Sequence, residues 1–414
     1  MAPKQMVLGP KTFLGMVILL GMFGPISTDM YLPALPDMAS DLSADAASLN
    51  ATLYGFIFGM AVSMLLIGPL SDRHGRKKPL IVCLSMHAAA SIACGLTGDV
   101  WSLIIFRVIQ SIGAGASITM SAAFIKDSYE GSVRVRVLNM NAIFRALGPM
   151  LSPIVGAAII SVSGWRTTFY VTAVASLICL ALAFLTTETL PEENRKGKGF
   201  KDVAIGTKSI LSDRSLMIFM VMSSMMSFAF MGYLSVSSYI YEGMFGFAES
   251  EYSLALASAM LIGSFGMICI NRATKDVPNY KRIPLYTALE TIPGILIILF
   301  GDQSWWVFFL LFLPFVVGLA SMSPWGMAAM MASHEGDNGV LSGLINFVYF
   351  TIGCIGMIAS TLPFPSYTVA LGSLMAIGGI TFCALWGIIK AGGGSLKGLE
   401  MTGSGRMPDD GPNN

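Results

Sequence analysis

Twelve apolar stretches, each long enough to cross a bilayer and separated by short polar loops, run through this chain of 414 residues. A hydrocarbon core about 30 Å thick takes roughly 20 apolar residues at helical rise. That ruler places spans near 12–36, 50–70, 79–98, 101–124, 137–161 and 166–186. A second set falls near 213–241, 250–271, 284–301, 304–332, 338–360 and 366–390. Hydrophobic residues make up 54% of the chain and charged ones 12%, and the mean hydropathy is +0.71. A soluble fold of this length has no core large enough to hide that much apolar surface. The expectation is an all-α polytopic membrane protein of twelve transmembrane helices. Lys4 and Lys11 precede the first span, which is too long for a signal h-region and carries Pro33 and Pro36 where a cleavage site would lie, so it reads as retained.

The net charge of +1 says little; the distribution of the basic residues says much. With the N-terminus inside, every Lys and Arg falls on the cytoplasmic side except Arg166 outside and Arg107 and Arg145 within spans. Such asymmetry predicts cytoplasmic N- and C-termini in a plasma (inner) membrane. The outer loops carry acidic residues, Asp37, Asp41, Asp45, Glu249 and Glu251, which read as solvated.

The longest polar segment, Thr187–Ser212, separates six spans from six. The domain expectation is therefore a six-helix bundle over 1–186, a cytoplasmic linker over 187–212, a second bundle over 213–390 and a disordered tail over 391–414. A 6+6 plan suits a two-bundle transporter with its site between the halves at mid-depth. All six cysteines lie within spans without paired spacing, and the three histidines are scattered, so neither a disulfide framework nor a metal site is expected. No phosphate-binding G-x-x-x-x-G-K-[ST] string occurs, and nothing calls for a cofactor or a nucleic-acid partner.

The loop after the second span reads Gly68-Pro69-Leu70-Ser71-Asp72-Arg73-His74-Gly75-Arg76-Lys77-Lys78. Its glycines permit a tight turn and its carboxylate sits among arginines at a helix end. The whole string resembles the signature loop of the major facilitator superfamily, where it acts as a conformational latch, here through Gly68, Asp72, Arg73, Gly75 and Arg76. Asp29-Met30-Tyr31-Leu32-Pro33-Ala34-Leu35-Pro36 in span one resembles the opening motif of the bicyclomycin/chloramphenicol-resistance subfamily of drug:proton antiporters. Arg107-Val108-Ile109-Gln110-Ser111-Ile112-Gly113 in span four resembles its R-x-x-Q-small-x-G motif, and Gly148, Pro149, Pro153 and Gly156 in span five its antiporter motif. Gly164-Trp165-Arg166 and Glu188-Thr189-Leu190-Pro191 also match. After span eight, Asn271-Arg272-Ala273-Thr274-Lys275 is a degenerate second latch. The resemblance implies the major facilitator fold of two six-helix bundles, proton coupling through Asp29 and Arg107, and no enzymatic activity.

Asp29, Arg107, Arg145 and Glu290 fall inside spans, where an uncompensated charge costs about 3 kcal/mol by insertion scales. Asp29 and Arg107 come at similar depth from the outer side, which makes them candidate neighbours, either as a proton-coupling pair or as a structural salt bridge. Burial favours the neutral form of a carboxylate and a nearby cation the charged form, so a change of access can switch its proton. Arg107 does not release its own. Arg145, close to mid-depth of span five, reads as a site for an anionic group, as a partner to Asp29 in one state, or as a side chain snorkelling to the inner face. Glu290 in span nine and His87 in span three lie on helices that the resemblance makes outer scaffold, with packing roles the simpler reading.

Methionine (29) and phenylalanine (25) are abundant, with both concentrated in spans seven and ten. Flexible, polarisable side chains suit a pocket that fits many shapes. The substrate-binding candidates are Tyr31, Gln110, Arg145, Tyr239, Met225, Met231 and Asn346. The reading is a monomeric proton-coupled multidrug efflux transporter whose partners are amphiphilic or lipophilic small molecules, protons and the lipid bilayer, with antibiotic resistance as its outcome. The alternatives are an exporter of one metabolite or anionic siderophore-like compound and, from another class, a polytopic membrane enzyme or assembly factor.

Overall fold

Asp45, Asp99 and Asp213 each start a long helix by accepting the backbone N–H of the residue three positions on, at 3.1, 2.9 and 3.0 Å. A carboxylate there satisfies an orphan donor and meets the positive end of the helix dipole. Hydrogen bonding from Ser48 and Ser102 holds the exposed Asp45 and Asp99 carboxyls below their ordinary range. The computed structural model, which describes residues 8–195, 207–334, 338–391 and 397–400, contains no strand among them.

Span one is broken. It comprises α1 (Pro10–Gly21), α2 (Phe23–Thr28), a 3₁₀ turn Leu32–Ala34 and α3 (Leu35–Asp41), with a bend of 52° between α1 and the rest. Pro25, Pro33 and Pro36 withhold backbone donors, and the Thr28 hydroxyl bonds back to the Gly24 carbonyl at 2.9 Å, which bends helices. The straight span over 12–36 is therefore corrected to a bent one reaching Asp41, and Asp29 lies at a helix break.

The remaining spans are α4 (Ala46–His74), α5 (Lys77–Leu96), α6 (Val100–Ser128), α7 (Gly131–Ser163) and α8 (Arg166–Leu185). They continue with α9 (Arg214–Ser238, prolonged by a π-helical turn Tyr239–Met244), α10 (Glu249–Ala273) and α11 (Asn279–Phe300). The last are α12 (Trp305–Ala332), α13 (Asn338–Ser360) and α14 (Tyr367–Ala391). Eleven helices are long and apolar enough to cross a membrane, and the bent span makes twelve among the described residues. Large apolar side chains such as Leu96, Trp101, Val162, Phe265 and Leu299 stand exposed along them, a surface suited to lipid rather than water.

Contacts divide the chain into two units: Met1–Val203 with Ala248–Ala257, and Ala204–Phe247 with Ser258–Asn414. In the first, α6 packs along α4 and α5, and α5 along α8; in the second, α9 packs on α13 and α14, and α14 on α11. The start of α10 groups with the first unit, where the Ser253 hydroxyl donates to the Pro153 carbonyl at 3.0 Å.

Part of the expected linker, 196–206, and most of the expected tail, 401–414 included, lie outside the described residues. The tail is helical at α15 (Lys397–Glu400), where Leu399 is buried in the core of the second unit beside Ile283, Met330 and Ile389. An apolar residue in a polar tail gives that turn a reason to dock.

Candidate functional site

Because α2 ends at Thr28, the Ser27 carbonyl is one of the last four that the helix leaves without an internal partner. Arg107 of α6 fills it: its Nη1 donates to Ser27 O at 2.7 Å and to Gln110 Oε1 at 2.6 Å, and its Nη2 to the Tyr31 hydroxyl at 3.3 Å. The guanidinium also lies over the rings of Phe56 (4.1 Å) and Tyr31 (4.7 Å). It thus meets the negative end of the α2 dipole as well as a carbonyl lone pair.

The bonding continues outward from Arg107. Gln110 Nε2 donates to Ser91 Oγ at 2.7 Å, and Ser91 to the His87 carbonyl at 2.6 Å. His87 binds Ser176 Oγ through Nδ1 (2.7 Å) and Ser27 Oγ through Nε2 (3.1 Å), closing a ring of polar contacts across α2, α5, α6 and α8. The Tyr31 hydroxyl bonds Thr52 Oγ1 of α4 at 3.0 Å. Arg107, Gln110 and His87 are wholly buried and Tyr31 nearly so.

Asp29 caps the C-terminus of α2 and is buried, its Oδ1 accepting from Thr28 Oγ1 at 2.8 Å. Among the described residues it forms no ion pair, with Arg107 or any other cation. The expected neighbours are tied to the same short helix end, Asp29 as its cap and Arg107 through Ser27, without a direct bridge. The helix terminus explains this, since it already supplies the arginine with negative partial charge.

Helix α7 seats that broken segment. A Cβ at Gly148 would lie 2.7 Å from Pro25 Cβ, and one at Gly156 would collide with the Met30 carbonyl. The two motif glycines admit span one at close range in the segment that follows its bend. Arg145, one turn before Gly148 and on the same face as Asn141, is exposed and makes no hydrogen bond or ion pair among the described residues. Eleven residues separate it from Gly156, about 16 Å along the helix, so it does not reach Asp29.

In the loop between α4 and α5, Gly75 takes φ +85°, a conformation that side chains disfavour. Arg76 binds Asp72 Oδ1 at 2.5 Å, Asp127 Oδ2 at 3.0 Å and Ser71 Oγ at 2.6 Å. Glu188, beyond span six, accepts the backbone N–H groups of Arg76 (2.9 Å) and Lys77 (3.2 Å), capping α5 from a distance. The segment 187–195 is therefore more than a connector at its start. Arg73 is exposed with no ion pair among the described residues, so Asp72 pairs with Arg76 alone. The Arg76–Asp127 and Glu188 contacts were not legible in the motif string. In the second unit the degenerate latch is tied by the buried Arg282, which donates to the Thr274 carbonyl.

The other candidates belong to the second unit. Tyr239, buried, stacks on Tyr367 at 5.4 Å. Met231 is buried and packs against Gly353, Met225 is half-buried beside the core of the second unit, and Asn346 donates to the Ser342 carbonyl at 2.8 Å. Glu290 is wholly buried. The described cysteines are all free, Cys269 and Cys383 exposed, and no metal-holding group of His, Cys, Asp and Glu exists among the described residues.

Eleven helices and one broken span, each apolar enough to cross a membrane, define a polytopic membrane protein among the described residues. Residues 17–357 match the family model of the Major Facilitator Superfamily, and the chain belongs to that family. It is 27% identical to an uncharacterized MFS-type transporter YdgK of Bacillus subtilis, over 91% of this chain and 96% of that one. It is 24% identical to a bicyclomycin resistance protein homolog of Haemophilus influenzae, over 81% and 85%. With the multidrug resistance protein MdtL of Klebsiella pneumoniae the identity is 29%, over 58% and 60%. Among solved structures, the nucleoside transporter NupG superposes with a TM-score of 0.70 at 13% identity, over 91% of this chain and 98% of that one. The inward-open xylose transporter XylE of E. coli gives 0.67 at 14%, over 90% and 95%. These structural likenesses share the fold.

Proposed function

We propose that this protein is a proton-coupled efflux transporter of the inner membrane, exporting amphiphilic small molecules by alternating access of its two units. The observation that carries the reading is Asp29, a buried carboxyl at a helix end that accepts from Thr28 and, among the described residues, forms no ion pair, two residues from the carbonyl that anchors Arg107. A carboxyl at a break can change its exposure when the break rearranges, and that is the requirement for loading a proton from one side and releasing it to the other. Arg107, Gln110 and Tyr31 hold α2 in position, a positioning role. The resistance relatives support drug export as the cargo class. The protein works as a monomer with both termini in the cytoplasm.

A second reading, export of a compound bearing a carboxylate or similar anion, is favoured by one observation, the exposed Arg145 on α7, which has no ion pair among the described residues. Growth protection against neutral, cationic and anionic amphiphiles, chloramphenicol and ethidium among them, separates the two. The first reading expects protection against several unrelated compounds that a protonophore abolishes. Protection confined to anionic compounds and lost in Arg145→Ala supports the second, and protection that survives a protonophore contradicts both.

A further inference from the structure

Glu290 is the twelfth residue of α11, and His87 is the eleventh of α5, at nearly the same register in the two units. The histidine is bonded through both ring nitrogens. The glutamate is not: both carboxyl oxygens are buried without a hydrogen-bond partner among the described residues, and its side chain has no exposure.

The fold has nonetheless made room for it. A Cβ at Gly378 of α14 would lie 2.5 Å from Glu290 Oε1 and 3.4 Å from the Met225 carbonyl of α9. Gly378 is therefore small so that the carboxyl can lie at the junction of α9, α11 and α14. No cation faces it from those helices. In α12 and α13 no charged residue occurs; α14 carries only Lys390, twelve residues beyond Gly378, and α9 only Arg214, eleven before Met225. On its own helix the cations are Lys281 and Arg282, nine and eight residues back, and Arg282 donates to the Thr274 carbonyl. On the same helix the Thr291 hydroxyl faces Gly379, and the Tyr286 ring one turn back packs on Trp325.

A carboxylate enclosed in this way, with neither counter-charge nor donor, would meet the full cost of a bare ion in an apolar medium. The neutral acid avoids that cost and needs only a modest acceptor, such as a helix carbonyl that one small rotation brings within reach. We infer that Glu290 is a proton-binding site of the second unit, holding its proton while Gly378 packs over it and exchanging it only when α14 draws away from α11. This deepens the proton-coupled reading by adding a second carrier to Asp29, and its test does not depend on Asp29.

Infrared difference spectroscopy of the detergent-purified full chain reads the site directly. At neutral pH the wild type shows a carboxylic-acid C=O band that Glu290→Gln lacks and Asp29→Asn retains. Its shift in deuterated buffer is slow, and in Gly378→Ala, where a methyl displaces the carboxyl, it is at least tenfold faster or the band is lost. The amide has the same shape, so Glu290→Gln elutes and melts as the wild type does. A wild-type spectrum without that band, or a Glu290→Gln protein that no longer folds, would mean an ionised, paired glutamate and overturn the proposal. If the band is present but Asp29→Asn still couples to protons, the Asp29 assignment fails while this site stands.

Discussion

Arg107 shows how a membrane protein holds a charge without a carboxylate beside it. The insertion cost of about 3 kcal/mol is met by hydrogen bonds to a charged group, worth about 1.5–3 kcal/mol each, and by ring faces adding roughly 0.5–2 kcal/mol. Two short bonds, to Ser27 and Gln110, are enough to offset it. Arg107→Ala removes both and strands a buried carbonyl and amide, each costing about 1–3 kcal/mol. Thermal unfolding in detergent should show a protein destabilised by roughly 3 kcal/mol, and Arg107→Lys should recover part, since an ammonium cannot form the planar fork. Wild-type melting of Arg107→Ala would contradict this role. Asp29, Arg107 and Gln110 stood out in the sequence because charge and amide are rare in apolar runs. Ser27, Ser91, Thr52 and Ser176 did not, because a serine or threonine in a helix usually bonds its own backbone and reads as a small residue. His87 read as a packing histidine, and only the tertiary contacts reveal it as the hub between Ser27 and Ser176.

At the scale of helices, the sequence marked where spans run but not how they bend. Hydropathy is blind to a break whose residues remain apolar, so a straight helix placed Asp29 at mid-span, whereas the chain bends by 52° at Met22 and its short second helix ends at Asp29. The antiporter-motif glycines announced close packing without naming the partner; it is the segment of span one after its bend, at Pro25 and Met30. Gly156→Ala should therefore destabilise by about 1–3 kcal/mol or more, as overpacking does, and lower transport at equal expression; normal transport and melting would detach α7 from the site. The latch loop was legible as a string, while Asp127 and Glu188, more than fifty and a hundred residues away, were not. Asp72 is half exposed, so its pair with Arg76 contributes less than about 1 kcal/mol to stability. Asp72→Asn should then melt within that margin of wild type yet export more slowly, because the pair is useful only if it breaks and re-forms during turnover. Unchanged turnover in vesicles would reduce the loop to a topological anchor.

For the whole molecule, twelve spans and a charge asymmetry were the firmest readings, because bilayer thickness and lipid solvation leave a chain few choices. The orientation they imply is testable in a background without the six cysteines. A cysteine at Asp45 should react with an impermeant thiol reagent applied to intact cells, and one at Lys78 should not; the reverse pattern would invert the topology. The central claim is that Asp29 carries the coupled proton. Purified wild-type protein in weakly buffered detergent solution, given the compound with the largest protonophore-sensitive protection, should release protons on binding it. Asp29→Asn should bind the same compound with little or no release, because the apolar contacts remain and the titrating group is gone. Proton release of wild-type size from Asp29→Asn would contradict the account.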